Sequence, residues 1–325
     1  GWSVLGMGHS PISRAVVADK TVVDPEALAL AIEQAVAKAR IRSRNAITAM
    51  PASQATRKTV VMPKDLSEIE QENFMQVEAP NHIPFPLDEV RMDFEILGQN
   101  DVEKNSYDVQ LVAVKTEDLQ QRVDALAAAN LVIDVMDIDE FAIERVMRFV
   151  TAQYPLSDTN EHIEALIDIG HEFSVLYVLK DGRSIYTREQ NFGMKQLTDE
   201  VSRRFSLSAQ DTQAQLSLEK ESSLPPEYHN EVLPQFRLEV ASQINRLIQY
   251  FFAATSHNRV SRIWISGGGG SLNNISEEVH DLTGVKTAVI NPLGYAQVEN
   301  GVDPAYIQAM GPSFLTAFGL AMRED

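Results

Sequence analysis

The chain has 325 residues, of which 44% are hydrophobic and 23% are charged, so it can bury a sizeable core and form two lobes. Its formal net charge of −18 argues against broad binding to nucleic acid or anionic membranes, because phosphate neutralisation requires clustered Lys and Arg. The sequence contains no cysteine and no H-E-x-x-H pair. It also contains no apolar run that approaches the roughly 20 residues needed to cross a bilayer. We therefore expect a soluble protein, without a metal cage of its own, that reaches membranes only through partners.

The first half of the chain predicts short strands between helices. Asp24-Pro25 predicts a helix start, since Asp caps helices and Pro suits their first turn, and the basic run Lys38–Arg44 is interpreted as cations near its C-terminus. An acidic helix is predicted over Leu66–Ala79, ending at Pro80. Residues Gly1–Val17 are interpreted as a strand that enters a loop, with a turn at Pro11. Further strands are predicted at Ala46–Met50, Lys58–Met62, Val90–Leu97, Tyr107–Val114 and Val132–Ile138, and further helices at Thr116–Ala129 and Asp139–Ala152.

The second half predicts a hairpin followed by helices and a glycine-rich joint. A strand ending in Asp168-Ile169-Gly170 precedes a second strand that doubles back beside it, and Lys180-Asp-Gly182 is a hairpin-turn signal. Helices are predicted at Lys195–Phe205, Ser208–Lys220, Asn230–Ala254, Leu272–Leu282 and Pro312–Met322, with a strand at Lys286–Ile290.

These elements predict two lobes. The first covers residues 1–156 and contains an inserted α+β module at about 63–133. The polar stretch Ser157–Glu161 is the expected linker, and the second lobe covers residues 157–325, with a final helix at about 312–322 that packs back toward the first lobe.

The Asp168-Ile169-Gly170 sequence has two interpretations. Glycine lets a phosphate approach the backbone without meeting a Cβ, and Asp168 at a strand end could hold a metal-bound water or orient an attacking one. The alternative is that Asp-x-Gly only shapes a turn.

The glycine run Gly267–Gly270 lies between an apolar strand and a predicted helix. Such a joint lets a flat ligand lie against the backbone and directs N–H groups of the helix start, near Ser271, toward an anion. The alternative is a flexible loop capped by Ser271. The run matches neither G-x-G-x-x-G nor the P-loop pattern, so both of those nucleotide folds lose support.

Several long stretches resemble the PilM family, cytoplasmic actin-like proteins of bacterial type IV pilus assembly, over essentially the whole chain. The matching stretches are Pro63–Val90, Asp124–Ala129 with the following Leu-Val-Ile-Asp-Val-Met-Asp, Ala165–Gly170, Gly182–Glu189, Phe192–Val201, Gln249–Ala253 and Phe318–Met322.

The resemblance implies an α/β, actin-like (ribonuclease H-like) two-lobed fold with an inserted subdomain, similar to the 1C subdomain of FtsA. It implies ATP and Mg²⁺ held between the lobes, and docking of the N-terminal cytoplasmic peptide of the inner-membrane protein PilN. The implied role is a scaffold at the inner membrane rather than an enzyme, with ATP as structural ligand or switch. The pilus motor ATPase and the platform protein are further possible partners.

The resemblance also carries over nucleotide-site residues. Asp168, the expected ligand of Mg²⁺ through water, and Gly170 match the second phosphate loop, and the glycine run matches the adenosine loop. Lys195 and Glu200 match the helix that contacts ribose or base, although an exposed helix surface explains them equally. The cofactor-binding set is therefore Asp168, Gly170, Lys195, Glu200, Gly267, Gly268 and Gly269.

The resemblance places the partner peptide between the first lobe and its inserted module. There the expected wall residues are Ile83, Pro84, Phe85 and Pro86, because rigid prolines and an aromatic ring present a preformed apolar surface. The alternative is a buried hinge of the module.

Two departures from the family pattern affect the nucleotide expectation. The family's first phosphate loop, of the kind Asp-Ile-Gly-Ser-Thr-Ser-Val-Lys, has no counterpart before Trp2, so we expect the first hairpin and its phosphate contacts to be absent. His171 and Glu172 stand where the family has small or hydroxylic residues, and a glutamate opposes phosphates unless Mg²⁺ intervenes.

Two other functions compete with the scaffold. An ATP-dependent small-molecule kinase of the same superfamily would need an aspartate base and a polar pocket, and no polar cluster before Asp65 suits that role. An FtsA-like filament protein would normally carry a C-terminal amphipathic membrane helix, whereas this sequence stops at Arg323-Glu-Asp325.

Overall fold

The computed structural model describes residues 2–153, 163–208, 211–212, 215–216, 224–299 and 304–323. They form two compact units, one of Gly6–Asp139 and the other of Gly1–Leu5 with Glu140–Asp325. The expected linker Ser157–Glu161 lies outside the described residues, as does most of the expected helix Ser208–Lys220. The expected lobe boundary after residue 156 stays a prediction.

The strands and helices, numbered in chain order, agree in type with most of the predicted elements. Up to residue 151 they are β1 (Ser3–Val4), β2 (Val17–Ala18), β3 (Thr21–Val22), α1 (Pro25–Ala39), β4 (Asn45–Met50), β5 (Ala55–Pro63), α2 (Glu68–His82), β6 (Val90–Gln99), β7 (Ser106–Lys115), α3 (Thr116–Ala128), β8 (Val132–Ile138) and α4 (Asp139–Thr151). From residue 163 they are β9 (Ile163–Ile169), β10 (Ser174–Lys180), β11 (Arg183–Gln190), α5 (Lys195–Phe205), α6 (Leu233–Ala254), β12 (Arg262–Gly267), α7 (Ile275–Thr283), β13 (Thr287–Val289), β14 (Gln297–Val298), α8 (Pro304–Met310) and α9 (Leu315–Ala321).

In the Gly6–Asp139 unit, a three-stranded antiparallel sheet of order β5-β7-β6 carries α2 on one face. Alternate residues of the strands point to that face, as the two-residue period of a strand requires. The buried side chains there are Val60, Met62, Met75, Ala79, Ile83, Val90, Val109, Leu111 and Ala113. A separate parallel pair, β4 with β8, lies in the same unit.

The prediction that α2 ends at Ala79 is wrong, because the helix continues through Pro80 to His82. Proline lacks an N–H and crowds the carbonyl four residues earlier, which disrupts a helix interior. Here Pro80 lies in the last turn, and the Ile83 N–H closes that turn on Ala79 O at 2.8 Å. The helix therefore tolerates the proline at its end.

In the other unit, a mixed five-stranded sheet of order β11-β10-β9-β12-β13 packs against α6 and α7. The predicted hairpin of β9 and β10 is confirmed, with Asp168 opposite Val175. The predicted turn between β10 and β11 is also confirmed, and both Asp181 and Gly182 have positive φ (53° and 75°), as a type I′ turn requires.

Two predicted helix starts in this unit are wrong. The helix expected from Leu272 begins at Ile275, because Gly268–Ser271 form a 3₁₀ turn and Asn274 takes a left-handed conformation before the helix. The closing helix expected from Pro312 is α-helical only from Leu315, since residues 311–314 also form a 3₁₀ turn.

Among the described residues, no helix combines the length and apolar character that spanning a bilayer requires.

Candidate functional site

Two of the expected nucleotide loops lie side by side in the sheet. Strands β9 and β12 are parallel neighbours, with Ser266 opposite Asp168 and Gly267 opposite Ile169. The loops that follow both strands therefore leave the same carboxyl edge of the sheet, where α/β folds place their ligands. The structure thus brings Asp168 and Gly170 together with the glycine run.

The carboxylate of Asp168 is held by a residue that the sequence reasoning missed. Ser266 Oγ donates a hydrogen bond of 2.9 Å to Asp168 Oδ1 across the two strands. Ser266 is fully buried, whereas Asp168 is half-buried at the end of its strand. The signal in the sequence was weak: a serine before the glycine run points to this contact only when the pairing of β9 with β12 is known.

The tip of the β9–β10 hairpin is covered by the segment that leads into α5. Gly170 N–H donates to Phe173 O at 2.9 Å, which closes the turn. Met194 N–H then donates to Gly170 O at 2.9 Å, and Lys195 N–H donates to His171 O at 2.7 Å. The backbone of Lys195 is therefore part of the predicted site.

Unlike the backbone of Lys195, the side chains of the two predicted ligands on α5 form ion pairs along the helix surface. Lys195 Nζ pairs with Asp199 one turn along the helix, and Glu200 pairs with the exposed Arg203. At 3.6 residues per turn, Glu200 lies on a different face of the helix from Lys195. The structure thus does not bring these two predicted ligands together as side chains.

The glycines of the run differ in what surrounds them. At Gly267, where φ is +75°, a Cβ would lie 2.4 Å from Ile169 O. At Gly269 a Cβ would lie 2.5 Å from the Ile169 side chain. At Gly268 the nearest atom would be Met194 Cγ at 3.5 Å. Packing of the chain on itself therefore explains Gly267 and Gly269. Of these three glycines, only Gly268 could carry a Cβ at an ordinary contact distance.

The residues at this edge fit Mg²⁺-ATP in two respects. Mg²⁺ keeps several waters and commonly uses one or two carboxylates with substrate phosphates, so the single half-buried Asp168 suffices on the protein side. At Gly268 a Cβ would make only ordinary van der Waals contact, so the backbone there is less closely covered than at Gly267 or Gly269. No group of three or more His, Cys, Asp or Glu side chains that could hold a metal alone occurs in the described part of the chain.

The second candidate site is the loop between α2 and β6. Ile83 is only 4% exposed and packs in the core below α2, so its side chain anchors the loop. Pro84, Phe85 and Pro86 are exposed. The Lys115 ammonium lies 4.7 Å from the centre of the Phe85 ring, a cation–π distance. The loop therefore presents an aromatic ring beside a cation on a rigid support.

The strand register shows where this loop lies in its unit. Val90, which follows the loop, is opposite Lys115, and Val114 is opposite Ala55. At this end of the sheet, β5 follows from β4 and β7 leads into α3, so the loop lies where the inserted module joins the rest of the unit. The family resemblance expects the partner groove at this junction, and that position stays a prediction.

The family model for type IV pilus assembly protein PilM matches residues 2–325. A solved PilM-PilN type IV pilus biogenesis complex is similar at 25% identity and a TM-score of 0.74, covering 96% of this chain and 89% of that chain. The ethanolamine utilization protein EutJ from Carboxydothermus hydrogenoformans, at 15% identity and a TM-score of 0.51, covers 94% of this chain and 77% of its own and is similar in fold.

The expected α/β, actin-like fold class is confirmed by these similarities. The family match covers nearly the whole chain, and the site residues predicted from the resemblance lie within it. The chain belongs to the PilM family of type IV pilus assembly proteins.

Proposed function

We propose that this chain is a scaffold of the type IV pilus machinery that docks the N-terminal cytoplasmic peptide of a PilN protein. The observation that carries the proposal is the exposed Pro84-Phe85-Pro86 loop beside Lys115, at the junction of the inserted module. The similar solved structure is a PilM-PilN complex, which supports the choice of partner.

The loop has the properties of a peptide-binding wall. Prolines fix φ, so Pro84 and Pro86 lose little conformational freedom when a peptide docks. Phe85 offers a large apolar face whose backbone is held by buried Ile83, and aromatic anchors of this kind dominate interface energies. Lys115 adds a donor for a peptide carbonyl or carboxylate at the rim.

A docking role does not require turnover. We propose that the protein works at the cytoplasmic face of the inner membrane, linking PilN to the motor ATPase and the platform protein in twitching motility, and that it is not an enzyme. A scaffold of this kind needs rigid, preformed surfaces, and the buried core below α2 provides one for the loop.

We further propose that Mg²⁺-ATP acts as a structural ligand or switch. Asp168 would hold Mg²⁺ through water, and the backbone at Gly170 and Gly268 would lie against the nucleotide, with Lys195 beside them. When bound, the nucleotide would supply a strong negative charge at the carboxyl edge of the sheet. The chain's own contribution is to orient Asp168 through Ser266 and to fix the hairpin tip through the backbone of Met194 and Lys195.

The docking proposal is tested by calorimetric titration of the protein with a synthetic peptide copying a PilN cytoplasmic N-terminus, with and without Mg²⁺-ATP. We expect saturable one-to-one binding that weakens at least about tenfold in Phe85→Ala, since aromatic anchors that become buried in an interface often contribute about 2 kcal/mol or more. Ile96 is exposed as Phe85 is, but lies on β6 away from the loop. Ile96→Ala is therefore the matched control and should bind the peptide as the wild type does. Unchanged affinity in Phe85→Ala would remove this loop from the site.

A further inference from the structure

One stretch of the Gly6–Asp139 unit carries a concentration of positive charge, although the formal net charge of the chain is −18. Residues 34–64 contain no Asp or Glu, and their cations are Lys38, Arg40, Arg42, Arg44, Arg57, Lys58 and Lys64. The first four of these cations occupy alternate positions from residue 38 to residue 44. The positive charge is therefore densest in one short segment.

The end of helix α1 accounts for only two of these four cations. Cations in the last turn of a helix interact favourably with its dipole, and the effect falls off beyond that turn. Lys38 lies in the last turn and donates to His9 O at 3.0 Å, and Arg40 is the C-cap residue. Arg42 and Arg44 lie beyond the helix. The helix dipole therefore gives no reason for the charge of these two residues.

Residues 40–44, which we call the arginine segment, form an exposed strip whose charge is not compensated by the protein. All five residues are exposed. No ion pair joins any of the three arginines to a residue in the described part of the chain. Asp134, two residues beyond Val132 on the neighbouring strand β8, is exposed and does not pair with them either. The guanidinium groups are therefore available to a ligand outside the molecule.

Exposed apolar side chains accompany the arginines. Ile41 is 45% exposed, and its N–H donates to Val36 O at 3.4 Å, which ties this residue to the end of α1. Val132 is 59% exposed, and its N–H donates to Arg44 O at 2.7 Å, which ties it to the other end of the segment. The segment thus presents charged and apolar side chains together, from a backbone that is held at both ends.

The shape and composition of the segment favour a broad anionic surface over a single small anion. Sites for small ligands are concave, whereas every residue of the arginine segment is exposed. Guanidinium groups bind phosphate oxygens in bidentate geometry. Binding at a lipid surface combines attraction to anionic headgroups with burial of apolar side chains in the interface. An anionic phospholipid surface therefore suits the arginines and also suits Ile41 and Val132.

The negative net charge of the chain does not cancel a local attraction of this kind. At about 0.15 M salt the Debye length is about 8 Å, so exposed charges farther away than this are largely screened. A cation close to an anionic membrane surface strengthens binding about fivefold (about 1 kcal/mol). The net charge therefore argues against binding through the whole surface of the protein, and not against contact through this one segment.

We propose that the arginine segment contacts an anionic phospholipid surface directly. The three guanidinium groups bind headgroup phosphates, and Ile41 and Val132 enter the interface between the headgroups. With three arginines, the contact is weak and reversible by itself. The segment precedes β4, whereas the loop at residues 83–86 lies at the junction beyond the other end of β4, so the two surfaces do not overlap. The proposal rests neither on peptide docking nor on nucleotide binding.

Flotation of the protein with lipid vesicles, in the absence of PilN peptide and nucleotide, tests the contact. We expect binding to vesicles of equimolar phosphatidylglycerol and phosphatidylcholine, and none to phosphatidylcholine alone. Binding should weaken at least about tenfold between about 0.15 M and about 1 M salt, since the Debye length falls from about 8 Å to about 3 Å. R42E/R44E should weaken it at least about tenfold. The control R91E/K104E changes the net charge equally, at exposed positions of β6 and the following loop, and should bind as the wild type does.

Ile41→Ser should weaken vesicle binding about threefold while its salt dependence stays the same, because less apolar surface then enters the interface. Unchanged binding in this variant would overturn the insertion of Ile41.

Circular dichroism of each variant establishes that it is folded before flotation. The proposal is overturned if the wild type does not bind phosphatidylglycerol vesicles, if R42E/R44E binds as the wild type does, or if the control loses binding equally. Full displacement of the wild type from vesicles by inorganic phosphate at constant ionic strength would also overturn it, and would assign the arginines to a site for free phosphate. Because no PilN peptide is present, each outcome is independent of the docking proposal.

Discussion

Ser266 donates its hydroxyl proton to Asp168 across neighbouring parallel strands, with 2.9 Å between Oγ and Oδ1. Because Ser266 is fully buried, its hydroxyl has a fixed direction, and the carboxylate that it holds stands at the carboxyl edge of the sheet. The same edge carries the glycine run, so one hydrogen bond joins the two loops that family resemblance assigns to nucleotide. This contact fixes the orientation of the Asp168 carboxylate near the end of its strand.

Asp168→Ala should abolish Mg²⁺-dependent nucleotide binding, because it removes the only carboxylate proposed to hold the metal. Ser266→Ala should have a smaller effect, since the carboxylate remains but loses a donor, and a hydrogen bond to a charged group contributes about 1.5–3 kcal/mol. The measurement is a titration with a fluorescent ATP analogue, with and without EDTA. Asp101→Ala, on an exposed loop, is the control. Equal affinity in Asp168→Ala and wild type would contradict the phosphate-loop assignment.

Substitutions in the glycine run should distinguish a role in packing from a role in ligand binding. Gly267→Ala should lower the free energy of unfolding by about 3 kcal/mol or more. The backbone strain at φ +75° contributes, and so does the clash of the new Cβ with Ile169 O at 2.4 Å. Gly268→Ala should cost less than about 1 kcal/mol, since its Cβ has 3.5 Å to the nearest atom. Urea unfolding of both variants measures the difference.

If the run also binds nucleotide, Gly268→Val should lower ATP affinity by more than its loss of stability explains, because the branched side chain would stand between the backbone and the ligand. Similar stability losses at both positions would mean that the whole run is a packing joint. Unchanged ATP affinity in Gly268→Val would remove Gly268 from the site.

The sequence predicted those features that depend on local chemistry. Asp181-Gly182 predicts its hairpin because both residues tolerate positive φ, and Asp24 predicts a helix start because its side chain accepts the Ala27 N–H. The turn at Asp19-Lys20 was missed, since both residues have positive φ without a glycine to signal it.

Features that depend on contacts between distant parts of the chain could not be predicted from the sequence. Ser266 became recognisable as a partner of Asp168 only through the β9–β12 register, 98 residues apart. The late start of α7 had a similar cause: Ser271, expected near that helix start, donates instead to Ala309 O at 2.7 Å. Long-range pairing of this kind leaves no period or turn signal in the local sequence.

The start of α2 should give the protein a pH-dependent element. The Ser67 hydroxyl and N–H donate to the Glu70 carboxylate, and these bonds lower the pKa of Glu70 from its ordinary 4.5. A carboxyl whose folded pKa is depressed stabilises the fold above its unfolded pKa, and this contribution is lost as pH falls through the folded pKa. The cap should therefore weaken below about pH 4.5.

Glu70→Gln should reduce that dependence, because an amide does not titrate. Amide hydrogen exchange at the first turn of α2, measured from pH 6 to pH 3 and corrected for the intrinsic rate, should show loss of protection in the wild type and a flatter profile in the variant. Parallel profiles in both proteins would remove Glu70 as the cause.

The loop at residues 83–86 should divide into one structural and one binding position. Ile83 is 4% exposed in the core below α2, so Ile83→Ala should lower the free energy of unfolding by about 2–4 kcal/mol, as removal of buried methyl groups does. Phe85 is 36% exposed, so Phe85→Ala should cost less than about 1 kcal/mol and act mainly on peptide affinity. Thermal unfolding and calorimetry on both variants make the comparison. A large stability loss in Phe85→Ala would mean that the ring holds the module in place instead, and that the peptide contacts a different surface of the unit.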